Sequence, residues 1–180
     1  CENTVTNGEY LEFIKDNGYS QPKHWLSQGW NWVVENKISK PLYWNKQNDK
    51  WKEYTLSGIQ DLDPNQPVSH ISYFEANAYA SWAGYRLPTE EETELFLTTQ
   101  VESASKVWTW TKSHYSSYPG YKKFEGLLSE YNGKFMCIQF VLKGGCSATP
   151  KGHYRHTYRN FYQAHQRWMF SGIRVAKDIT

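Results

Sequence analysis

Residues 140–176 read FVLKGGCSATPKGHYRHTYRNFYQAHQRWMFSGIRVA, and the rest of the expected architecture is arranged around them. An apolar run over 138–142 leads into this segment and breaks at Gly144-Gly145, and a second apolar run over 170–176 closes it. The residues between have no period of 2 or 3.6, so they predict an ordered loop. Because long ordered loops in compact domains are usually functional, this loop should hold most of any binding site. The two apolar runs should be neighbouring strands.

Aromatic residues should dominate the core of this chain. Its 180 residues fit one domain that can bury a substantial core. The sequence has nine Trp, fourteen Tyr and eight Phe but only two Met. Rings bury a large area each, but their N–H and O–H groups need hydrogen-bond partners. We therefore expect a loop-rich fold rather than a leucine-based helix bundle.

Charge and cysteine usage exclude several classes of protein. A net charge of +2 with 21% charged residues argues against a nucleic-acid-binding tail. Cys1, Cys137 and Cys146 are an odd number without metal-ligand spacing, so they do not form a secreted disulfide framework. Since no transmembrane run or signal peptide is visible, we expect a cytoplasmic protein that binds neither nucleic acid nor membrane. Because the first residue is Cys rather than Met, we interpret the chain as a piece of a longer protein.

Three helix starts carry the same signature, a hydroxyl residue at the N-cap and Glu three residues later. They lie at Thr6–Glu9, Ser72–Glu75 and Thr89–Glu92. This is the capping box, in which the two residues satisfy each other's backbone N–H groups. The helices that follow should be short, and their wide spacing is incompatible with a bundle.

Short strands should make up the rest of the regular structure. Residues 42–44 and 51–55 predict a hairpin around a turn at 48–50, and the alternating segment 107–111 predicts a further strand. There are no repeats and no linker that would divide residues 1–180. The expected fold class is α+β, one domain with two or three helices against short, irregular, mostly antiparallel strands.

Several segments together resemble one known family. They are VTNGEYLEFI, GWNW, PLYW, PVSHISYFEANAYASWAGYRLPTEEE, VWTWT, YPGY, EYNGKFM, VLKGG and TYRNF…RWMFSGIRVA, in this order from about Thr4 to Ala176. The series resembles the formylglycine-generating-enzyme-like, or sulfatase-modifying-factor, domain. More narrowly, EYNGKFM and TYRNF…RWMFSGIR are similar to the C-terminal domain of the ergothioneine-biosynthesis sulfoxide synthases of the EgtB type.

The resemblance implies a C-type-lectin-like α+β fold and an oxidoreductase reaction. In that family, non-haem iron(II) and O₂ join a cysteine-type thiol to the imidazole C2 of trimethylhistidine and oxidise the sulfur to a sulfoxide. The iron sits on three histidines of an N-terminal DinB-like helical domain, which lies outside these 180 residues. The resemblance therefore implies a substrate-binding domain that needs that partner domain and is inactive alone.

The histidines of this chain do not predict a transition-metal site. His153 and His156 are three residues apart in a segment that is a poor helix former, and a metal site needs three converging ligands. The other four, His24, His70, His114 and His165, stand alone in the sequence. In formylglycine-generating enzymes two cysteines hold copper, and the matching positions here are Thr149 and Tyr154. Since neither offers a soft thiolate, we expect no copper.

Within the sulfoxide synthases the resemblance points to the second subtype. In the mycobacterial type an Asp and an Arg hold γ-glutamylcysteine, and the matching positions here are Tyr162 and Gln166. The active-site Tyr of that type falls near Gly126 and is missing. The second subtype uses free cysteine and takes its catalytic Tyr from the N-terminal domain, so no catalytic residue is expected in this chain. Asn160 is retained, and in the family it helps to hold trimethylhistidine.

The candidate substrate-binding residues are Asn160, Phe161, Tyr162, Gln166, Arg159 and Arg155. For the arginines the functional interpretation is bidentate binding of a carboxylate. The alternative is structural pairing that fixes the loop, which we also expect for Arg167 and Arg174. Phe161 and Tyr162 are expected to form an aromatic wall for a quaternary ammonium, whereas Tyr158 should fill the core.

A second hypothesis belongs to a different functional class. The Tyr-, Asn- and Ser-rich loops could form a non-catalytic, lectin-like module that binds a ligand or a partner. The loop from His153 to Arg167 follows the enzyme pattern, and on that ground we favour the sulfoxide synthase domain. A helical domain with a spaced histidine triad upstream in the parent polypeptide would discriminate the two.

Overall fold

The computed structural model describes residues 1–99, 106–126, 133–150 and 152–178. In these ranges it has four α-helices and seven β-strands in two sheets. The helices are α1 (Asn7–Lys15), α2 (Ser27–Glu35), α3 (Tyr73–Trp82) and α4 (Glu90–Thr99). The strands are β1 (Trp44–Gln47), β2 (Lys50–Thr55), β3 (Gly58–Asp61), β4 (Trp108–His114), β5 (Gln139–Lys143), β6 (Asn160–Gln163) and β7 (Ser171–Gly172). No helix of the described ranges is long and apolar enough to cross a membrane.

All three predicted capping boxes are present. In α1, Thr6 Oγ1 accepts the Glu9 N–H at 3.2 Å while Thr6 N donates to the Glu9 carboxylate at 2.7 Å. Ser72 and Glu75 repeat the arrangement at α3, and Thr89 and Glu92 repeat it at α4. The local signature therefore fixes where these helices begin.

The Trp-rich segment contains α2, which the sequence did not predict. This helix starts after Leu26 without a side-chain cap, so the local signal is missing. Packing positions it instead. Gly29 lies so close to α3 that a Cβ atom at this position would be only 2.9 Å from the Phe74 ring. Tertiary contact with α3 thus decides the conformation of a segment whose own signals are weak.

The first sheet has the order β1-β2-β3 and contains the predicted hairpin. Asn48 and Asp49 have φ of 48° and 61°, the left-handed values of a type I′ turn. Strand β1 begins two residues later than predicted and β2 begins one residue earlier. The additional strand β3 was not predicted. Most side chains of this sheet are exposed, but Trp44 is buried in the core and Trp51 packs against it.

The second sheet has the order β6-β5-β4-β7, and it corrects one prediction. The apolar runs over 138–142 and 170–176 are not neighbouring strands, because β4 lies between β5 and β7. Strand β7 pairs in parallel with β4 and covers only two residues of the closing run. Gly172 does permit close packing, since a Cβ there would lie 2.5 Å from Val107 Cγ2. The pairing of β4 with both β5 and β7 is long-range, so it could not be predicted from the periodicity of either apolar run.

The predicted loop between the two runs is partly regular. Strand β6 pairs antiparallel with β5, with Asn160 opposite Leu142 and Phe161 opposite Val141. Because its residues are polar and aromatic, this strand was not predicted from the sequence. The consequence is that successive side chains from Asn160 to Gln163 alternate between the two faces of the sheet.

The core is built from rings whose polar atoms are largely satisfied. Tyr10 is fully buried and stacks on Tyr79 at 5.5 Å between centroids. The Tyr19 hydroxyl donates to Glu75 Oε1 at 2.6 Å, and Trp110 Nε1 donates to a backbone carbonyl at 3.0 Å. This confirms the prediction of an aromatic core with hydrogen-bonded ring ends.

The first and last segments of the described chain meet inside the domain. Val5 N donates to the Ile173 carbonyl at 2.9 Å, and the Val5 carbonyl accepts the Val68 N–H at 2.9 Å. The N-terminal amine of Cys1 donates to the Val175 carbonyl at 3.0 Å. Residues far apart in sequence therefore form one continuous part of the core.

Candidate functional site

A cavity of 680 Å³ lies between the segment that follows β4 and the segment that leads into β6. Five aromatic side chains line it: Tyr115, Tyr118, Tyr121, Tyr158 and Phe161. The remaining lining includes Met136, Arg155, Arg159 and Asn160. Four of the six residues predicted to bind substrate therefore meet at one cavity.

One wall of the cavity is a stacked pair of rings. Tyr115 and Phe161 are nearly parallel, with 3.9 Å between centroids and 10° between planes. Phe135 packs behind Phe161 at 5.9 Å. Tyr158 is held against Trp108 at 5.4 Å, so it both packs on the core, as predicted, and lines the cavity. Because stacking covers one face of Tyr115 and one face of Phe161, the wall is rigid and offers a bound group the ring surfaces that remain open.

Arg159 ties three segments together at the cavity. Its Nε donates to Glu90 Oε2 at 3.1 Å, and a terminal nitrogen donates to the Ser116 carbonyl at 2.9 Å. The guanidinium also lies 4.7 Å from the Tyr115 ring centroid and 4.2 Å from that of Tyr118. Because its charge is already paired with a buried carboxylate, the geometry favours the structural interpretation of Arg159. Burial and the hydrogen-bonded Glu90 carboxylate raise the pKa of Tyr118, so this phenol stays neutral.

Arg155 is arranged differently. It is exposed and lies over the Tyr158 ring at 5.7 Å. Among the described residues it has no carboxylate partner. The guanidinium of Arg155 is therefore free to bind an anionic group at the edge of the cavity.

Strand β6 separates the other predicted residues. Phe161 faces the cavity, whereas Tyr162 belongs to the other face, where it packs edge-on against Trp168 at 5.3 Å. Burial raises the pKa of Tyr162. Gln166 Oε1 accepts the Gln163 N–H at 3.0 Å and closes a turn. Tyr162 and Gln166 thus lie outside the cavity lining, and their role in binding stays a prediction.

Asn160 lies at the start of β6, where the cavity reaches the sheet. Its Oδ1 accepts the N–H of Phe161 at 3.0 Å. The side chain is half-buried, so its amide can serve both the backbone and a bound ligand. The alternation along β6 puts the Asn160 side chain on the same face as that of Tyr162, with which it is hydrogen-bonded, so ligand binding by Asn160 stays a prediction.

Sequence reasoning missed the three tyrosines that complete the cavity, Tyr115, Tyr118 and Tyr121. Tyr115 and Tyr118 lie in residues 113–120, whose Tyr, Ser and Pro content predicts only a loop, and Tyr121 follows directly after it. The repeated Tyr at three-residue intervals was the available signal. The segment EYNGKFM, residues 130–136, carries part of the family resemblance. The structure describes it only from Gly133 onward.

Arg167 and Arg174 fix backbone segments, as expected. Arg167 donates to Glu75 at 3.0 Å and to the Lys40 carbonyl at 2.9 Å. Arg174 donates to the carbonyls of Cys1 and Glu2, and burial lowers its pKa. Both arginines have structural partners that hold loop or terminal segments in place.

Thr149 and Tyr154, the positions that match the copper-binding cysteines, both lie close to Gly145. A Cβ at Gly145 would lie 3.4 Å from Thr149 Oγ1 and 3.6 Å from the Tyr154 ring. Thr149 Oγ1 instead accepts the Cys146 N–H at 2.9 Å. Throughout the described ranges, no group of three or more His, Cys, Asp and Glu side chains is arranged to hold a metal ion.

Comparison with known proteins gives a consistent set of relatives. The sulfatase-modifying factor enzyme 1-like domain family matches residues 2–98. Hercynine oxygenase of Mycobacterium tuberculosis is 29% identical over 97% of this chain and 51% of that protein. Ergothioneine biosynthesis protein 1 of Schizosaccharomyces pombe is 26% identical over 97% of this chain and 25% of that protein. Formylglycine-generating enzyme of Thermomonospora curvata is 31% identical over 58% of this chain and 38% of that protein. The chain spans about half the length of the hercynine oxygenases that it matches.

Proposed function

Because this chain belongs to the sulfatase-modifying factor enzyme 1-like domain family, we propose that it is the substrate-binding domain of a sulfoxide synthase in ergothioneine biosynthesis. The substrates are hercynine, which is trimethylhistidine, and a cysteine-type thiol, with free cysteine expected for the second subtype. A C-type-lectin-like classification of the fold and a cytoplasmic location belong to the same proposal.

The observation that carries the proposal is the cavity at Asn160, in a chain similar to hercynine oxygenases over 97% of its length. Hercynine has a trimethylammonium, a flat imidazole and a carboxylate. The ring surfaces that the Tyr115–Phe161 stack and the Arg159 guanidinium leave open suit the first two groups, and Arg155 suits the third. The positive charge of Arg159 is balanced by Glu90, so it opposes the ligand's cation only weakly.

In the proposed reaction a C–S bond replaces the S–H bond of the thiol and the C2–H bond of the imidazole. One oxygen atom of O₂ enters the sulfoxide, and the other leaves as water with the two hydrogens. Iron(II) supplies the O₂ chemistry in the assembled enzyme. The described residues do not provide its ligands, so we propose that these lie on a separate N-terminal helical domain. The residues of this chain bind and orient hercynine.

Calorimetric titration with hercynine and with histidine tests the binding role. Histidine lacks the methyl groups but keeps the ring and the carboxylate, so hercynine should bind more tightly by about 0.5–2 kcal/mol, the scale of cation–π attraction. Arg155→Ala should weaken both ligands, because both carry the carboxylate. Lys23→Ala, which removes an exposed positive charge away from the cavity lining, is the matched control.

Equal affinity for the two ligands, or equal effects of the two charge removals, would contradict the assignment. So would a failure of both this chain and the longer polypeptide to bind hercynine at millimolar concentration.

The non-catalytic binding module is the second candidate. The same cavity supports it, because its aromatic and polar lining can hold a ligand without any catalytic group. A ligand other than hercynine that binds more tightly at the same residues would support this alternative.

A further inference from the structure

A separate cleft of 340 Å³ lies between the segment that joins α2 to β1 and the segment that precedes β7. Three cationic side chains line it, those of Lys37, Lys40 and Arg167. No Asp or Glu is among its lining residues, and it shares none of them with the cavity at Asn160. We call it the basic cleft. The binding of hercynine does not account for this concentration of positive charge.

Arg167 is held in one orientation at the basic cleft. Its Nη1 donates to Glu75 Oε1 at 3.0 Å and to the Lys40 carbonyl at 2.9 Å, and its guanidinium lies 5.3 Å from the Trp32 ring centroid. Among the described residues, Nε and Nη2 have no hydrogen-bond partner, and neither is fully buried. The Nε–Nη2 edge of a guanidinium can bind a carboxylate or a phosphate through two parallel hydrogen bonds.

Glu75 balances the charge of Arg167 from the buried side. Its side chain is fully buried and accepts hydrogen bonds from the Tyr19 hydroxyl at 2.6 Å and from both N and Oγ of Ser72 at 2.8 Å. These bonds fix the carboxylate, and the carboxylate in turn fixes Arg167. The guanidinium is therefore positioned before any ligand arrives, which lowers the cost of binding one.

The two lysines add charge that no carboxylate compensates. Lys37 follows α2 with φ of 52°, a left-handed value that Gly or Asn usually adopts at the end of a helix. Its exposed side chain forms no ion pair within the described ranges. Lys40 Nζ donates to the Trp44 carbonyl rather than to an acidic side chain. Three cations against the single carboxylate of Glu75 leave the basic cleft with two positive charges.

We propose that the basic cleft binds a phosphate monoester. A phosphate monoester carries close to two negative charges at neutral pH, which matches the uncompensated charge, and its oxygens suit the free edge of Arg167. A phosphate group has a volume of about 100 Å³, roughly three times the share of one water molecule, so the cleft also has room for an organic substituent. Ile38, Leu42 and Tyr43 offer this substituent apolar contacts. The inference is independent of the proposed function.

Calorimetric titration of this chain at constant ionic strength tests the proposal with phenyl phosphate as the probe. Phenyl phosphate should bind with a dissociation constant of about 1 mM or less. Benzoate has the same ring but one negative charge, so it should bind about tenfold more weakly. Inorganic phosphate should also bind more weakly than phenyl phosphate, because it lacks the ring contacts.

Two variants test the residues that carry the assignment. Arg167→Lys keeps a positive charge opposite Glu75 but removes the two-pronged edge, so it should weaken phenyl phosphate binding by about tenfold or more. Lys37→Ala should weaken it by about threefold, the scale for an exposed charge. Lys23→Ala is the matched control, because Lys23 is exposed and does not line the cleft. Lys37 is exposed, so its replacement tests binding even where Arg167→Lys fails to fold.

Several outcomes would overturn the assignment. They are no binding of phenyl phosphate at about 10 mM, equal affinity for phenyl phosphate and benzoate, and equal effects of Lys37→Ala and Lys23→Ala. Inorganic phosphate that binds as tightly as phenyl phosphate would refute the monoester. Hercynine should not displace phenyl phosphate, since the two clefts have no lining residue in common. Competitive displacement would refute a separate site, whereas a failure of hercynine binding alone would refute only the proposed function.

Discussion

Replacement of Glu90 tests the electrostatics of the candidate site most directly. The carboxylate lies 3.1 Å from Arg159 Nε, and the two side chains are only 4% and 13% exposed. Removing one partner of a buried ion pair costs about 3–5 kcal/mol. Arg159 keeps the Ser116 carbonyl and two ring contacts, so we expect Glu90→Ala to lower the free energy of unfolding by about 3 kcal/mol. Glu90→Gln retains an acceptor oxygen and should cost about 1–2 kcal/mol.

The same replacement should weaken ligand binding through charge. Without Glu90 the guanidinium of Arg159 is uncompensated beside the cavity. At an effective dielectric constant of about 20, two positive charges about 8 Å apart repel by about 2 kcal/mol. Hercynine should therefore bind Glu90→Gln about 30-fold more weakly than the unchanged chain. Histidine, whose ammonium is likewise positive but unmethylated, should lose affinity in the same direction.

Urea unfolding followed by circular dichroism measures the stability, and hercynine titration of the folded variant measures the affinity. Glu91→Gln is the matched control, since it removes an exposed carboxylate from the same turn of α4 and should change stability by less than about 0.5 kcal/mol. Indistinguishable results for Glu90→Gln and Glu91→Gln would refute the role given to the Glu90–Arg159 pair.

Three further predictions concern the ligand, the metal and acid stability. Asn160→Ala in the longer polypeptide should weaken hercynine binding by about 1–3 kcal/mol, measured by titration; unaltered affinity would leave Asn160 a structural role through its bonds to the Phe161 N–H and the Tyr162 side chain. The purified chain should hold no stoichiometric iron and form no C–S bond with O₂, which metal analysis and product assays check; iron-dependent turnover would contradict this. The Arg86 guanidinium lowers the pKa of Glu92 from 4.5 to about 2, so the pair stabilises the fold above pH 4.5 and this contribution is lost as the pH falls towards 2. Glu92→Gln should therefore flatten the acid limb of the stability profile, and an unchanged limb would exclude this pair as its origin.

Local signals in the sequence were sufficient for some elements of the fold. Thr6, Ser72 and Thr89 start helices because each hydroxyl bonds an N–H only three residues away. Asn48-Asp49 makes the hairpin because those residues tolerate left-handed backbone. Such interactions are complete within a few residues, so the sequence displays them.

Pairings between distant segments were not visible in the same way. The insertion of β4 between β5 and β7 depends on three segments whose own patterns are unaffected by their order. Helix α2 is positioned by Phe74 rather than by a cap. These contacts between distant segments form only when the chain folds, so local sequence patterns do not predict them.

The candidate site was predicted in part for the same reason. The loop, Asn160 and the ring wall at Phe161 could be proposed from residue types and from the resemblance. The partner of Arg159 is Glu90, 69 residues away, so its pairing could not be inferred. Phe161 and Tyr162 were both expected at the wall, but the unrecognised strand β6 sends them to opposite faces.

The position of Val5 between Val68 and Ile173 has a consequence for how the domain is made. Its two backbone bonds join residues that are 63 and 168 positions away from it in the sequence, so they leave the ribosome at well-separated times. A nascent chain cannot complete this part of the core until Ile173 has emerged from the exit tunnel. Closing such long loops is entropically slow. The ring-rich segments made earlier must therefore wait with their apolar surfaces uncovered, and the domain should depend on chaperones for as long as its last strand is missing.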